Sequence, residues 1–136
     1  MKASNAGRDD KFGFAVAIDG DTAVVGAYAE DSCAVEESCP NDDCCNNGDN
    51  GCTRAGAAYV FRRNAVTDEW EAEQMLKAPN AHGSAQFGYS VAISGDTIVV
   101  GADGEKGCTV GVVNGNGTEY PVSTSCGSSG AAYVFV

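Results

Sequence analysis

The chain contains one segment that occurs twice. Phe12–Ala27 (FGFAVAIDGDTAVVGA) returns as Phe87–Ala102 (FGYSVAISGDTIVVGA), with twelve of the sixteen residues identical and a constant spacing of 75 positions. A second shared stretch, GAAYVF, occupies Gly56–Phe61 and Gly130–Phe135, 74 positions apart. Repeats of this length are typical of a supersecondary unit that stacks on its neighbours to bury a common core. The sequence therefore predicts two copies of one unit, at about 1–74 and 75–136, the second incomplete.

Each copy begins with a strict alternation of large and small residues. The large residues of the first copy are Phe12, Phe14, Val16 and Ile18, and the residues between them are glycine and alanine. Alternation of this kind indicates a strand with a bulky face and a small face, at 12–18 and again at 87–93. Because both faces are uncharged, we expect stacked sheets, with the bulky side of one against the small side of the next.

The remaining strands follow from turn chemistry and β-favouring residues. Asp19-Gly20-Asp21 and Ser94-Gly95-Asp96 read as tight turns, since glycine accepts positive φ and Asp or Ser bonds to the local backbone. Glu69–Leu76 reads as a charged outer strand whose glutamates discourage edge pairing, with a short amphipathic helix as the alternative. The other predicted strands are 22–27, 56–61, 97–102 and 130–135.

Four short antiparallel strands per unit are typical of a β-propeller blade. Each unit has FG at the start of its first strand, VGA at the end of its second, and a G-x-A-Y-V-F strand downstream. This pattern resembles the FG-GAP repeats of integrin α-subunits and of many microbial and algal surface proteins. That resemblance implies an all-β fold, a partial β-propeller, acting in adhesion or ligand recognition. The motif residues are Phe12, Gly13, Gly26, Ala27, Phe87, Gly88, Gly101 and Ala102.

Composition excludes several classes of function. The net charge of −11 argues against a nucleic-acid partner, because phosphate binding needs clustered Lys and Arg. No apolar run approaches the roughly 20 residues that span a bilayer. His82 lies in a polar loop and Ser84 has no nucleophile motif around it, so we expect no enzyme.

Metal binding is not expected at the two turns. Integrin-type repeats often hold Ca²⁺ in a D-x-D-x-D-G-x-x-D loop, which is reduced here to a few oxygens, whereas Ca²⁺ prefers six to eight. The acidic insert 28–55 offers weak Ca²⁺ candidates in Asp42, Asp43 and Asp49, but no spacing there matches a defined loop. A solvated acidic loop is the alternative, and no other cofactor is expected.

Seven cysteines indicate an oxidising compartment, hence an extracellular or cell-surface location. Cys33 and Cys108 occupy equivalent positions, as do Cys52 and Cys126, so the simplest pairing is Cys33–Cys52 and Cys108–Cys126. That leaves Cys39, Cys44 and Cys45 for a further bridge and an odd thiol or an external bond. Zinc is the weaker alternative, because no C-x₂-C pair is present. Asn116-Gly117-Thr118 is a glycosylation sequon.

We therefore expect a module of a cell-surface or secreted protein that binds a protein or glycan ligand. An accessory propeller of a secreted enzyme and a structural coat or wall protein are the alternatives. The N-terminal stretch MKASNAGRDD lacks the apolar core of a signal peptide, and Met1-Lys2-Ala3 aligns with Leu76-Lys77-Ala78, so we expect a piece of a longer protein. Two stacked units leave two outer faces exposed, which predicts association with the remaining blades or with other copies.

Overall fold

A computed structural model describes residues 1–32, 52–107 and 127–136 of the chain. Seven strands and no helix occur among these residues, and hence no helix that could span a membrane. The predicted outer segment Glu69–Leu76 forms a strand over Trp70–Leu76, which excludes the helical alternative. The strands are β1 (Ala15–Asp19), β2 (Thr22–Ala27), β3 (Ala57–Arg63), β4 (Trp70–Leu76), β5 (Phe87–Ser94), β6 (Thr97–Ala102) and β7 (Ala131–Phe135).

The strands form two antiparallel meanders, one for each repeat. The first sheet has the order β1-β2-β3-β4, and the second has the order β5-β6-β7. Corresponding hairpins have the same register: Asp19 lies opposite Thr22 in the first sheet, and Ser94 lies opposite Thr97 in the second. Gly20 and Gly95 both have a φ of 55°, as the predicted tight turns require. The all-β prediction is therefore confirmed.

The two sheets stack face to face with the predicted polarity. One buried cluster joins Val24, Ala58 and Val60 of the first sheet to Phe87 and Val100 of the second, with Val91 and Ile93 packed against it. The second sheet thus presents its bulky side to the small side of the first. An antiparallel sheet is held in this register because a slip of one residue would turn every large side chain to the wrong face.

The start of the first strand differs from the prediction. Gly13 has a φ of 90°, so β1 begins only at Ala15, and the alternation does not extend back to Phe12. The same irregularity appears in the second sheet, where the register shifts between Phe87 and Ser90. Phe14 leaves the expected face and packs edge-on against Tyr28, at 4.6 Å between ring centroids. The positive φ of the motif glycine produces a bulge that alternation cannot signal.

Each repeat has the same aromatic cluster at this bulge. Phe12 packs edge-on against Tyr59 and Phe61, with ring centroids 5.4 and 6.1 Å away. Phe87 packs in the same manner against the corresponding Tyr133 and Phe135, at 5.4 and 6.0 Å. Edge-to-face pairs of this kind add to the burial energy of the rings. The motif phenylalanine is thus the anchor that joins the first strand of a unit to its third.

The motif glycines allow the two sheets to approach closely. A Cβ placed on Gly26 would overlap the carbonyl oxygen of Gly88, and one placed on Gly88 would overlap that of Ala57. Only residues without a side chain can bring two backbones to this separation. The repeated glycines therefore mark the line along which one unit rests on the next.

Candidate functional site

A buried ion pair lies where the first unit passes into the second. Glu30 follows the end of β2 and Lys77 follows the end of β4, and their side chains are 4% and 5% exposed. The Lys77 ammonium donates to the Glu30 carboxylate, to the Ser32 carbonyl and, over 2.8 Å, to the Gly56 carbonyl. Three acceptors satisfy all three N–H groups of the ammonium, so the buried charge is fully paired.

Further polar groups complete the coordination of the Glu30 carboxylate. Asn5 Nδ2 donates to Oε1 over 2.8 Å, and the Ser32 hydroxyl donates to the same atom over 2.6 Å. The Tyr59 hydroxyl donates to Asn5 Oδ1 over 2.6 Å, which fixes the orientation of the amide. The exposed Asn5 thus links two buried side chains, Glu30 and Tyr59, and orients both of them.

Burial shifts the pKa values of the groups in this network. Desolvation lowers the pKa of Lys77, although the hydrogen bond and the negative charge of Glu30 oppose the shift. Desolvation, with a further contribution from the Glu30 charge, raises the pKa of Tyr59 and keeps its hydroxyl a donor. Desolvation also raises the pKa of Asp10, whereas its hydrogen bond from the Gly7 amide opposes the shift. Burial is therefore the largest cause of all three shifts.

The second unit contains a related network with one difference. Tyr133 donates to Asn80 over 2.7 Å, as Tyr59 does to Asn5, and Glu105 takes the position of Glu30. Glu105 Oε1 accepts from the Gly107 amide at 2.7 Å, and its Oε2 contacts His82 Nε2 at 2.9 Å. No lysine or arginine pairs with this carboxylate among the described residues. The second network therefore has the acid of the first without its ammonium.

A cleft opens between the two sheets beside β4. Its volume is about 470 Å³, and Leu76, Ile98 and Phe135 contribute apolar surface to it. Arg62 and Glu73, whose side chains are paired at 3.1 Å, contribute charged groups. A concave surface that combines apolar area with a few polar groups is the usual form of a ligand site. Sequence reasoning missed this cleft because its residues come from two different repeats.

Most of the residues predicted for disulfides, calcium and glycosylation lie outside the described part of the chain. Cys52 is described: it is buried and disulfide-bonded, and it is the one cysteine within 1–32, 52–107 and 127–136. Its predicted partner therefore lies outside those ranges. No group of three or more His, Cys, Asp or Glu residues suited to a metal occurs within them. The predicted residues outside them are Cys33, Cys39, Asp42, Asp43, Cys44, Cys45, Asp49, Cys108, Asn116 and Cys126.

Sequence reasoning also missed the buried network, although a signal for it was present. Asn5, Glu30 and Tyr59 return as Asn80, Glu105 and Tyr133 at the spacings of 75, 75 and 74 that the strands show. Two of these pairs lie outside the motif segments, where identity between the copies is otherwise sparse. Polar residues that return at the exact repeat spacing indicate a shared internal contact.

The disulfides can be mapped directly. In protein produced through a secretory route, we expect Cys33–Cys52 and Cys108–Cys126, each closing one insert and contributing roughly 3 kcal/mol on the chain-entropy estimate. Peptide mapping without reduction is the measurement. Recovery of Cys33 linked to Cys108 would contradict one bridge per insert, as would free thiols at all four positions.

The response to calcium is expected to be small. Neither turn retains the full acidic loop, so 1 mM Ca²⁺ or EDTA should scarcely move the melting temperature. A site filled at 100 times its dissociation constant would add roughly 2.7 kcal/mol, which calorimetry resolves easily. A clear rise in melting temperature with Ca²⁺ would instead assign a site to the acidic insert and its residues Asp42, Asp43 and Asp49.

Comparison with protein families gives one match. The family model described as FG-GAP repeat matches residues 1–61 and 70–135, one match for each unit. No curated protein matches the chain, and no solved structure does. The matched ranges contain all the motif residues, both buried networks and most of the cleft.

Proposed function

Because the chain belongs to the FG-GAP repeat family, we propose that it is part of an extracellular or cell-surface β-propeller that binds a protein or glycan ligand. Both units match the family over nearly their whole length, and their sheets stack bulky face on small face. This stacking supports the proposal, since the same step repeated around an axis closes a propeller. The first sheet has four antiparallel strands, the number typical of a propeller blade, which also supports the proposal.

An extracellular location is part of the proposal and is supported by cysteine chemistry. Cys52 is buried and disulfide-bonded, and structural disulfides persist in oxidising compartments. The charge of −11 favours a ligand with neutral or positive groups over a polyanion. We assign the module no catalytic role, because Glu30, Lys77 and Tyr59 are engaged with one another in a buried network.

We place the ligand in the cleft between the sheets. Arg62 and Glu73 offer a donor and an acceptor beside apolar surface from Leu76, Ile98 and Phe135. Sugar rings present hydroxyl groups on their edges and C–H groups on their faces, which this combination can match. A peptide with a polar and an apolar side chain would satisfy the same surface.

A binding array tests the proposal. The chain is applied to arrays of glycans and of extracellular proteins, and the signal is compared with that of Arg62→Ala. Arg63→Ala is the matched control, because the neighbouring Arg63 pairs with Asp21 and Asp68 outside the cleft. We expect the Arg62 variant to lose at least tenfold in affinity and the Arg63 variant to bind normally. Absence of any ligand would favour a structural coat or wall protein, and equal loss in both variants would remove the cleft from the proposal.

A further inference from the structure

We propose that the Glu105 carboxylate, with the carbonyls of Gly107 and Gly130, is a docking site for the ammonium of Lys2 from a second copy of this chain. These groups, named here the Glu105 cradle, lie at the end of the second unit, and Lys2 lies at the start of the first. The resulting contact is head to tail and repeats the step that joins the two units within one chain.

The first unit shows how such a cradle is filled. The Ser32 amide donates to Glu30 Oε2 over 3.1 Å, and the Lys77 ammonium binds the same oxygen. The same ammonium also donates to the Ser32 and Gly56 carbonyls. The lysine comes from the segment that leads into the following unit. The cradle therefore holds the start of the next repeat.

The second unit has the corresponding residues, and the Gly107 carbonyl, which accepts from the Ser129 hydroxyl over 3.0 Å, keeps a second lone pair. At the repeat spacings, Ser32 corresponds to Gly107 and Gly56 to Gly130. The Gly107 amide donates to Glu105 Oε1 over 2.7 Å, which makes Oε1 the counterpart of the oxygen that holds Lys77. His82 contacts the other oxygen, Oε2, at 2.9 Å and leaves Oε1 to the amide. Within 1–32, 52–107 and 127–136, no ammonium or guanidinium pairs with Oε1.

Burial makes it significant that, among the described residues, no ammonium contacts the Glu105 carboxylate beside His82. The Glu105 side chain is 4% exposed, and a carboxylate removed from water is stabilised strongly by a directly bound cation. In the first unit the equally buried Glu30 has this cation in Lys77. A cradle with the same acceptors is therefore suited to a primary ammonium at the same location.

The start of the chain supplies the matching lysine. Met1-Lys2-Ala3 corresponds residue for residue to Leu76-Lys77-Ala78. Lys2 is exposed, whereas Lys77 is buried in its cradle. Ala3 and Ala78 are both buried, each against a face of the first sheet. The residue that fills one cradle thus has an exposed equivalent at the opposite end of the molecule.

The outer sheet faces of the two units are also complementary, one bulky and the other small. Gly88 is buried against the backbone of the first sheet, whereas Gly13, with the same φ of 90°, has no atom within 4 Å of a built Cβ. Val16 and Ile18 are 69% and 65% exposed on the bulky face of the first sheet. The opposite end presents the small residues Ser90, Ala92 and Ala132, all of them exposed. A second copy placed there would repeat the packing already present between the two units.

This contact uses different surfaces on the two copies, so it generates either a closed ring or an open chain. The proposal goes beyond ligand binding, and it stands or falls independently of the cleft.

Sedimentation velocity across a concentration series is the test. The parent chain is expected to assemble, and Lys2→Gln is expected to weaken assembly on the order of 100-fold, because it leaves Glu105 buried without its cation. Glu105→Gln should weaken assembly to a similar degree. Lys11→Gln is the matched control, since Lys11 is an exposed lysine whose partner is Asp9 in the same chain. The exposed Lys2 can be replaced without loss of a contact within its own unit.

Mixing the two variants distinguishes this contact from a symmetric one. A Lys2→Gln copy retains its Glu105 cradle, and a Glu105→Gln copy retains Lys2, so the mixture should form pairs and stop at two copies. A parent chain that stays monomeric at every concentration overturns the proposal. So do variants that assemble as the parent does, or a mixture that forms no pairs.

Discussion

Gly88→Ala is expected to prevent or severely destabilise folding. The added methyl would overlap the Ala57 carbonyl oxygen, and the backbone is rigid because β3 is hydrogen-bonded on both sides. The φ of 90° strains the backbone of alanine, whereas glycine adopts it freely. We expect a loss of about 4 kcal/mol or more in the free energy of unfolding, a size reserved for a few mechanisms such as overpacking and backbone strain. Urea unfolding followed by circular dichroism is the measurement.

Gly13→Ala is the matched control for this substitution. Gly13 has the same position in the motif and the same φ, but a Cβ there meets nothing within 4 Å. The control therefore bears the backbone strain without the overlap, and we expect it to cost roughly 1–2 kcal/mol. Both proteins are measured at a concentration where the chain is monomeric. Equal losses in the free energy of unfolding of the two variants would show that glycine is needed at this position because of backbone strain and not because of close packing.

The comparison between sequence and structure has a clear physical pattern. The repeat and the turn chemistry predicted nearly every strand, because Gly20 and Gly95 lie between β-favouring segments of the correct length. They also predicted the direction of stacking. The prediction failed at Gly13, where a positive φ ends the alternation and turns Phe14 away from the expected face. Alternation describes an ideal strand and carries no sign of a bulge.

The candidate site was harder to predict for a different reason. Glu30 and Lys77 are 47 positions apart, and as single residues each reads as an exposed charge. Only the fold places them together beneath the connection between the units. The cleft beside β4 likewise combines Arg62 of one unit with Ile98 of the other. Contacts between units depend on the distance and angle at which the two sheets stack. The residue pattern within one unit carries no information on either quantity.

The ion pair leads to the second large expected effect. Lys77→Met should lower the free energy of unfolding by about 3–5 kcal/mol, because it leaves the Glu30 carboxylate buried without its cation. Methionine has a similar length and flexibility, so the loss reports the charge and its hydrogen bonds more than the volume. Lys11→Met is the control, since Lys11 lies at the surface and its contact with Asp9 is 3.4 Å. Exposed pairs of this kind contribute about 0–1 kcal/mol.

A double-variant cycle separates the value of the pair from the cost of breaking it. Replacing both partners, as in Glu30→Gln with Lys77→Met, removes the buried charge altogether and should recover much of the loss of the single variant. The glutamine can still accept from Asn5 and from the Ser32 hydroxyl, so that side of the network keeps its contacts. If the double variant were as unstable as the sum of the two singles, the Glu30 and Lys77 charges would not be coupled. The junction between the units would then depend on the hydrogen bonds that the Lys77 ammonium donates to the Ser32 and Gly56 carbonyls, and on the packing of Leu76 and Ala78.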